Sequence, residues 1–230
     1  MISEKIRQDL IEKLEEYLRH PRSHHEIIHL RNELITHALP YFHITPTSIQ
    51  CNNLLSVIRK LCITLFGERI SRSILAHFTV GNDTTIPTFG VFQPEHLHIA
   101  LNPTLLRSLV KAVSGVRSFP NSQYRSDASP LEKMILVVEH EFVHFLLYQA
   151  DAILPTPHSP FYLQMVRALF GHGWGDFAMT HLGTYLEHKG NKKKFKKVLL
   201  SRGQYEEAYV DHVYWVLHRR KYGTMKKSKK

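Results

Sequence analysis

A chain of 230 residues, 43% of them hydrophobic, is long enough for one substantial domain with an ordinary core. No stretch approaches the roughly 18 uninterrupted apolar residues of a membrane span, so no membrane partner is expected. The net charge of +10 sits at one end: positions 189–230 carry 14 Lys and Arg against 3 Asp and Glu, whereas 1–188 carry 16 against 17. This reads as a near-neutral body, 1–188, followed by a polyanion-seeking basic extension, 189–230.

Ile2, Ile6, Leu10, Leu14 and Leu18 recur every four residues, which predicts an amphipathic helix ending near His20-Pro21. This charged segment has no apolar h-region and is not a secretory signal, so a cytoplasmic, nuclear or nucleoid-associated protein is expected. A second helix is predicted from about His24 to Leu39. A third, from about Thr47 to Phe66, carries Leu54, Ile58, Leu61 and Leu65. Cys51 and Cys62 would lie about 16 Å apart along that third helix, too far for a disulfide, and read as reduced thiols.

Ser73–Val80, Thr88–Phe92 and His96–Leu101 are short and rich in β-formers. Gly81-Asn82-Asp83 and Gln93-Pro94 separate them, so they read as a small antiparallel sheet. Then come a helix from about Pro103 to Val113, a polar loop from Ser114 to Ser129, and helices over Pro130 to about Asp151, Pro160–Gly171 and Gln204–Tyr222. Lys192–Lys197 and Lys226–Lys230 are low-complexity runs. The expected class is α+β.

The H-E-x-x-H pattern occurs twice, at His25-Glu26-Ile27-Ile28-His29 and at His140-Glu141-Phe142-Val143-His144. It places two imidazoles on one helix face, able to share a zinc ion, with a glutamate between them to serve as general base. At most one match is expected to be an active site. In the first, Ser23-His24-His25-Glu26 is a capping box, with Glu26 reaching back to the Ser23 backbone N–H. The second lies deep in a helix that opens on Ser129-Pro130-Leu131-Glu132 and is apolar nearly all round, flanked by Met134–Val138 and Phe145–Tyr148. Its two histidines and two glutamates, Glu139 and Glu141, would be buried and need partners.

A zinc site needs a third protein ligand. Asp151 is about 10 Å beyond His144 along the helix axis and cannot reach. His158 follows the stiff turn Leu154-Pro155-Thr156-Pro157 and precedes a second cap-and-proline helix start, Ser159-Pro160, so it can fold back onto the metal. His172, His181 and Glu187 are weaker competitors.

Ile99-Ala100-Leu101-Asn102-Pro103-Thr104-Leu105-Leu106, then His140–His144, then His158 followed by an aromatic pair and Met165, resemble the SprT-like zinc metalloproteases (SprT/Spartan type). The resemblance covers about 70–171. It implies a zincin-like core, one zinc ion held by His140, His144 and His158, Glu141 as base, and cleavage of proteins at or crosslinked to DNA. Ser159-Pro160-Phe161-Tyr162 departs from the family's Gly-plus-acid pattern, the segment between Asn102 and His140 is longer, and no Cys follows Cys62 to build the zinc ribbon many members carry.

Tyr148, Tyr162 and Tyr205 are candidate second donors to an oxyanion, and His96–Leu101 is a candidate strand for pairing with substrate backbone. Lys192, Lys193, Lys194, Lys196 and Lys197 are the candidate contacts to DNA or another nucleic acid, with Phe195 able to stack on a base. Two other classes stay open: a SprT-like nucleic-acid-binding module without catalysis, and a structural or interaction protein whose histidines are core residues.

Overall fold

The structure is a computed structural model that describes residues 2–38, 51–86, 89–104, 130–154, 156–172, 185, 187–201, 207, 210–211, 213–214 and 218. The first helix, α1, runs Glu4–Arg19 and buries Ile6, Leu10 and Leu14, the stripe its spacing predicts. Ser3 caps it by accepting the Ile6 N–H. The second helix, α2, spans His24–Ala38 and buries Ile27, Leu30 and Leu34.

The third helix, α3, spans Cys51–Ile74 and is longer than expected. It is interrupted at Gly67, whose φ of 76° is open to glycine and unfavourable for other residues. Ser71 Oγ donates to the Gly67 carbonyl at 2.7 Å, and the helix resumes. Phe66, Ile70 and Ile74 are buried at four-residue spacing, so Ser73 and Ile74 are helical rather than part of a strand. Cys62 is a buried free thiol, pushed up to about 12 by that burial.

The strands are β1 (Thr79–Asn82), β2 (Gly90–Gln93) and β3 (His98–Leu101). The sheet is mixed rather than antiparallel: in the order β1-β3-β2, β3 pairs parallel with β1 and antiparallel with β2. Gly81 and Asn82 belong to β1 instead of a turn. A Cβ on Gly81 would lie 2.7 Å from the His98 ring, so glycine permits the close pairing. The turn comes after it, where Asp83 Oδ1 accepts the Thr85 N–H at 2.8 Å. Asn102, just past β3, donates to the Thr84 and Ile86 carbonyls and accepts the Thr104 N–H, tying the returning loop to the helical turn at Pro103 and Thr104.

Helix α4 (Pro130–Gln149) packs against β2, α2 and α3. From Met134 to Gln149 only Tyr148 is exposed, so the helix is buried all round, as its sequence requires. It ends in a Schellman turn. Asp151 is left-handed at φ 57°, its N–H bonds the Tyr148 carbonyl, and the Ala152 N–H bonds the Leu147 carbonyl. Helix α5 (Pro160–Phe170) starts on Ser159, which accepts the Tyr162 N–H, and ends on Gly171 at φ 67°. The last described helix, α6, covers Lys192–Leu200, with Asn191 accepting the Lys194 N–H. The lysine run is therefore helical, which its low complexity did not announce. No described helix is long and apolar enough to cross a membrane. The Ser129 cap, the Pro103 helix beyond Thr104, His181, Tyr205 and Lys226–Lys230 lie outside the described residues, as does most of Gln204–Tyr222.

Candidate metal centre

His140 and His144 are one turn apart on α4, so their rings project from the same face, with centroids 5.2 Å apart. The Schellman turn at Asp151 reverses the chain, and the Ser159 cap anchors the start of α5. Between them His158 is brought back over α4. Its Nε2 lies 2.9 Å from His140 Nε2 and 3.2 Å from His144 Nε2. Among the described residues this is the one group of three or more His, Cys, Asp or Glu side chains placed to hold a metal.

These distances test the fit of a metal. Tetrahedral zinc with nitrogen ligands at about 2.05 Å requires N···N separations of about 3.3 Å. Without a cation, His158 Nε2 has one lone pair or one N–H with which to meet the two facing ring nitrogens. A divalent cation satisfies all three. Burial and neighbouring His158 hold His144 well below its ordinary pKa, which keeps its ring a neutral donor for metal.

Tyr162 supports the triad. Its ring stacks on His144 at 4.2 Å between centroids and meets His158 edge-on at 5.1 Å. Its hydroxyl donates to the His140 carbonyl at 3.0 Å. That hydroxyl is therefore engaged in positioning, while Tyr148, one turn beyond His144 on the same helix, is exposed and packs on Phe92.

Glu141 is buried, and its Oε2 accepts the Phe92 N–H from β2 at 3.0 Å. Burial pushes its carboxyl up to about 8, partly offset by that hydrogen bond. Gly90 allows the approach: a Cβ there would meet Glu141 Cγ and Val137 Cγ1 at 3.1 Å. Neither Phe92 nor Gly90 carried a sequence signal, since both act on α4 across 47 or more positions of chain.

The raised carboxyl has a measurable consequence in metal-free protein. Protonated Glu141 favours the folded state, so its contribution is complete below its ordinary value of 4.5 and is lost as pH rises through about 8. Urea unfolding in EDTA should show Glu141→Gln gaining stability over wild type as pH rises across this window. His144 acts with the opposite sign but is present in both proteins. A gap that stays constant with pH would mean that Glu141 is not buried as described.

The other buried glutamate of α4 has a separate role. Arg31 of α2 grips Glu139 with two hydrogen bonds, at 2.9 and 2.6 Å, and also donates to the Phe170 carbonyl. His172 Nε2 lies 2.7 Å from Glu139 Oε2. Burial alone would raise the Glu139 carboxyl, but Arg31 and His172 hold it below the usual range. His172 is thus engaged with Glu139 and is not in the metal cluster. Glu187 is exposed, and Asp151 closes its helix.

The first H-E-x-x-H match is a capping box, as expected. The Ser23 N–H donates to Glu26 Oε2 at 2.7 Å and the Glu26 N–H donates to Ser23 Oγ at 3.3 Å. His25 and His29 are exposed.

The five candidate lysines divide. Lys192 pairs with Asp211 at 2.9 Å, and Lys196 bridges Glu207 at 2.6 Å and Asp211 at 2.9 Å. Lys193, Lys194 and Lys197 are exposed. Phe195 is fully buried against Tyr185 and Tyr214, so it is a core residue and offers no face for a base. β3 has a partner strand on each side and no free edge, so it cannot be the strand that pairs with a substrate.

Comparison with protein-family models, curated proteins and solved structures found no match.

Proposed function

We propose that the chain is a zinc-dependent endopeptidase with a zincin-like core of the SprT type, acting on proteins at or crosslinked to DNA. The observation that carries this reading is the convergence of three imidazoles, with His158 Nε2 at 2.9 Å from His140 Nε2 and 3.2 Å from His144 Nε2, next to a buried glutamate on the same helix as the first two. Zinc, when bound there, supplies a Lewis acid for the scissile carbonyl and lowers the pKa of water. Glu141 then takes the proton of the attacking water and delivers it to the leaving amine. The Phe92 N–H fixes one Glu141 oxygen and leaves the other to the reacting proton. Substrate backbone pairs along β2, an outer strand of the described sheet, rather than along β3. The direct test is cleavage of an unfolded protein by the zinc-loaded chain, with and without single-stranded DNA. No new fragments in either condition would end the protease reading.

The nucleic-acid partner is assigned to the exposed lysine face of α6 and the charge asymmetry of the sequence. Lys193, Lys194 and Lys197 meet phosphates, while Lys192 and Lys196 tie α6 to the acidic groups at 207 and 211. Replacing the three exposed lysines by alanine should weaken DNA binding and lower the salt slope by roughly 2.7, at about 0.9 per neutralised duplex phosphate. Fluorescence anisotropy at several salt concentrations measures this. Unchanged affinity would make α6 a solubilising surface.

A further inference from the structure

We propose that Arg31, Glu139 and His172 form a buried clamp that positions the metal ligands: it fixes α5 against α4 and so sets where His158 stands relative to His140 and His144. This rests on the metal centre of the proposed enzyme and adds three positioning residues to it. None of the three is a ligand or the base.

The ligands come from two pieces of chain. His140 and His144 stand on α4, and His158 is joined directly to Ser159, the cap of α5. Whatever shifts α5 along α4 therefore shifts His158 against its two partners. A constellation of this kind has to be held within about 0.5 Å of its working geometry. Much of α5 is buried through apolar residues, among them Met165, Val166 and Leu169. Apolar contact is non-directional, so it does not by itself fix a helix along its axis.

Directional bonds tie α5 down at both ends. Near its start, the Tyr162 hydroxyl donates to the His140 carbonyl at 3.0 Å. At its end, Arg31 Nη2 donates to the Phe170 carbonyl at 2.8 Å and to Glu139 Oε2 at 2.6 Å. His172 Nε2, just past the helix, meets the same carboxylate oxygen at 2.7 Å. Tyr162 and Phe170 are about 12 Å apart along the α5 axis, at 1.5 Å per residue. On α4 the two ties land on consecutive residues, Glu139 and His140, and the second of these is a ligand. The Glu139 and His172 side chains are 1% and 2% exposed, so the set is out of water. A buried ion pair is weak evidence for a stabilising role, because well-packed apolar residues of similar volume often do as well. What the charged set supplies and an apolar one lacks is fixed geometry, through a planar guanidinium that spans two partners at once.

The test separates placement from stability by removing the whole set at once. Arg31→Met, Glu139→Leu and His172→Leu combined leave no member of the clamp as an unpaired buried charge, so the triple variant should fold with a Tm near that of wild type. Its zinc affinity, measured by chelator competition, should fall about tenfold, the low end of the 10–100-fold effect of groups that stand behind a ligand. The visible spectrum of the Co2+-loaded protein, which reports ligand geometry, should change with it. Arg31→Lys keeps the charge but cannot hold both Glu139 oxygens and the Phe170 carbonyl, so it should show the same two changes to a smaller degree. Arg31→Lys decides the matter if the triple variant does not fold. Wild-type zinc affinity, or a wild-type Co2+ spectrum, in the folded variant makes the set a structural ion pair and overturns the proposal. Failure of the protease reading looks different. A wild type that binds zinc and cleaves nothing loses the protease, and the clamp still stands or falls on the two metal readouts. No metal in wild type overturns the clamp together with the centre it serves.

Discussion

Purified wild-type protein should hold about one zinc per chain, and His158→Ala should weaken zinc binding by more than ~100-fold. The reason is the ligand count. His140 and His144 alone are a two-nitrogen site on one helix face, and a stable site with an open position needs three protein ligands. Losing a ligand should exceed the 10–100-fold cost of disturbing a group behind one. His140→Ala and His144→Ala should behave alike. His25→Ala should keep the metal, since the first H-E-x-x-H match caps a helix. His172→Ala removes a partner of Glu139 and no ligand, so its zinc loss should be smaller than that of His158→Ala. Metal analysis after dialysis gives stoichiometry, and thermal unfolding gives a second readout. Zinc at 100 times its Kd should stabilise wild type by about 2.7 kcal/mol and His158→Ala hardly at all. Stoichiometric metal in His158→Ala would move the third ligand elsewhere. No metal in wild type would return the three histidines to the core.

The parts of this arrangement that were legible in the sequence are those written locally. The four-residue spacing from Ile2 to Leu18 specifies one buried stripe, and α1 buries its centre. The S-x-x-E box at Ser23 and the Ser159-Pro160 start are chemistry within one turn, and both formed. His158 was recognisable because a stiff turn and a helix cap fix the chain on either side of it. Elsewhere the signal was long-range. Short β-rich segments record that a strand forms and not which neighbour it pairs with, so β3 slotting between β1 and β2 was out of reach. Ser73 and Ile74 combine β-forming composition with helical spacing, and the spacing prevailed because Phe66, Ile70 and Ile74 share one buried face.

The charge pattern was legible only as a sum. A run of lysines shows positive charge, but α6 has faces. Phe195 and Leu199 turn inward, Lys192 and Lys196 lie four apart and meet Asp211, and the remaining lysines face solvent. Glu139 is the same case inside the core. Its need for a partner follows from its buried helix, whereas Arg31, 108 positions away, could be identified only from the fold.

Glu141→Gln should fold and bind zinc as wild type does, yet cleave protein substrates at least ~100-fold more slowly, the lower bound for a general base. Glutamine keeps the shape of the side chain, and its carbonyl oxygen can still accept the Phe92 N–H. It cannot take a proton at neutral pH or return one to a leaving amine. Burial should not penalise the change, because Glu141 is already held toward its neutral form in the metal-free protein. The loss should appear in kcat with little change in KM, since the group acts on protons rather than on binding. Glu139→Gln serves as the contrast. It weakens a buried ion pair with Arg31, so its defect should appear in unfolding curves before it appears in turnover. Cleavage assays on one unfolded protein, with zinc content and Tm measured on the same preparations, separate the two. Wild-type rates in Glu141→Gln would remove this carboxylate from the mechanism and with it the proposed protease chemistry.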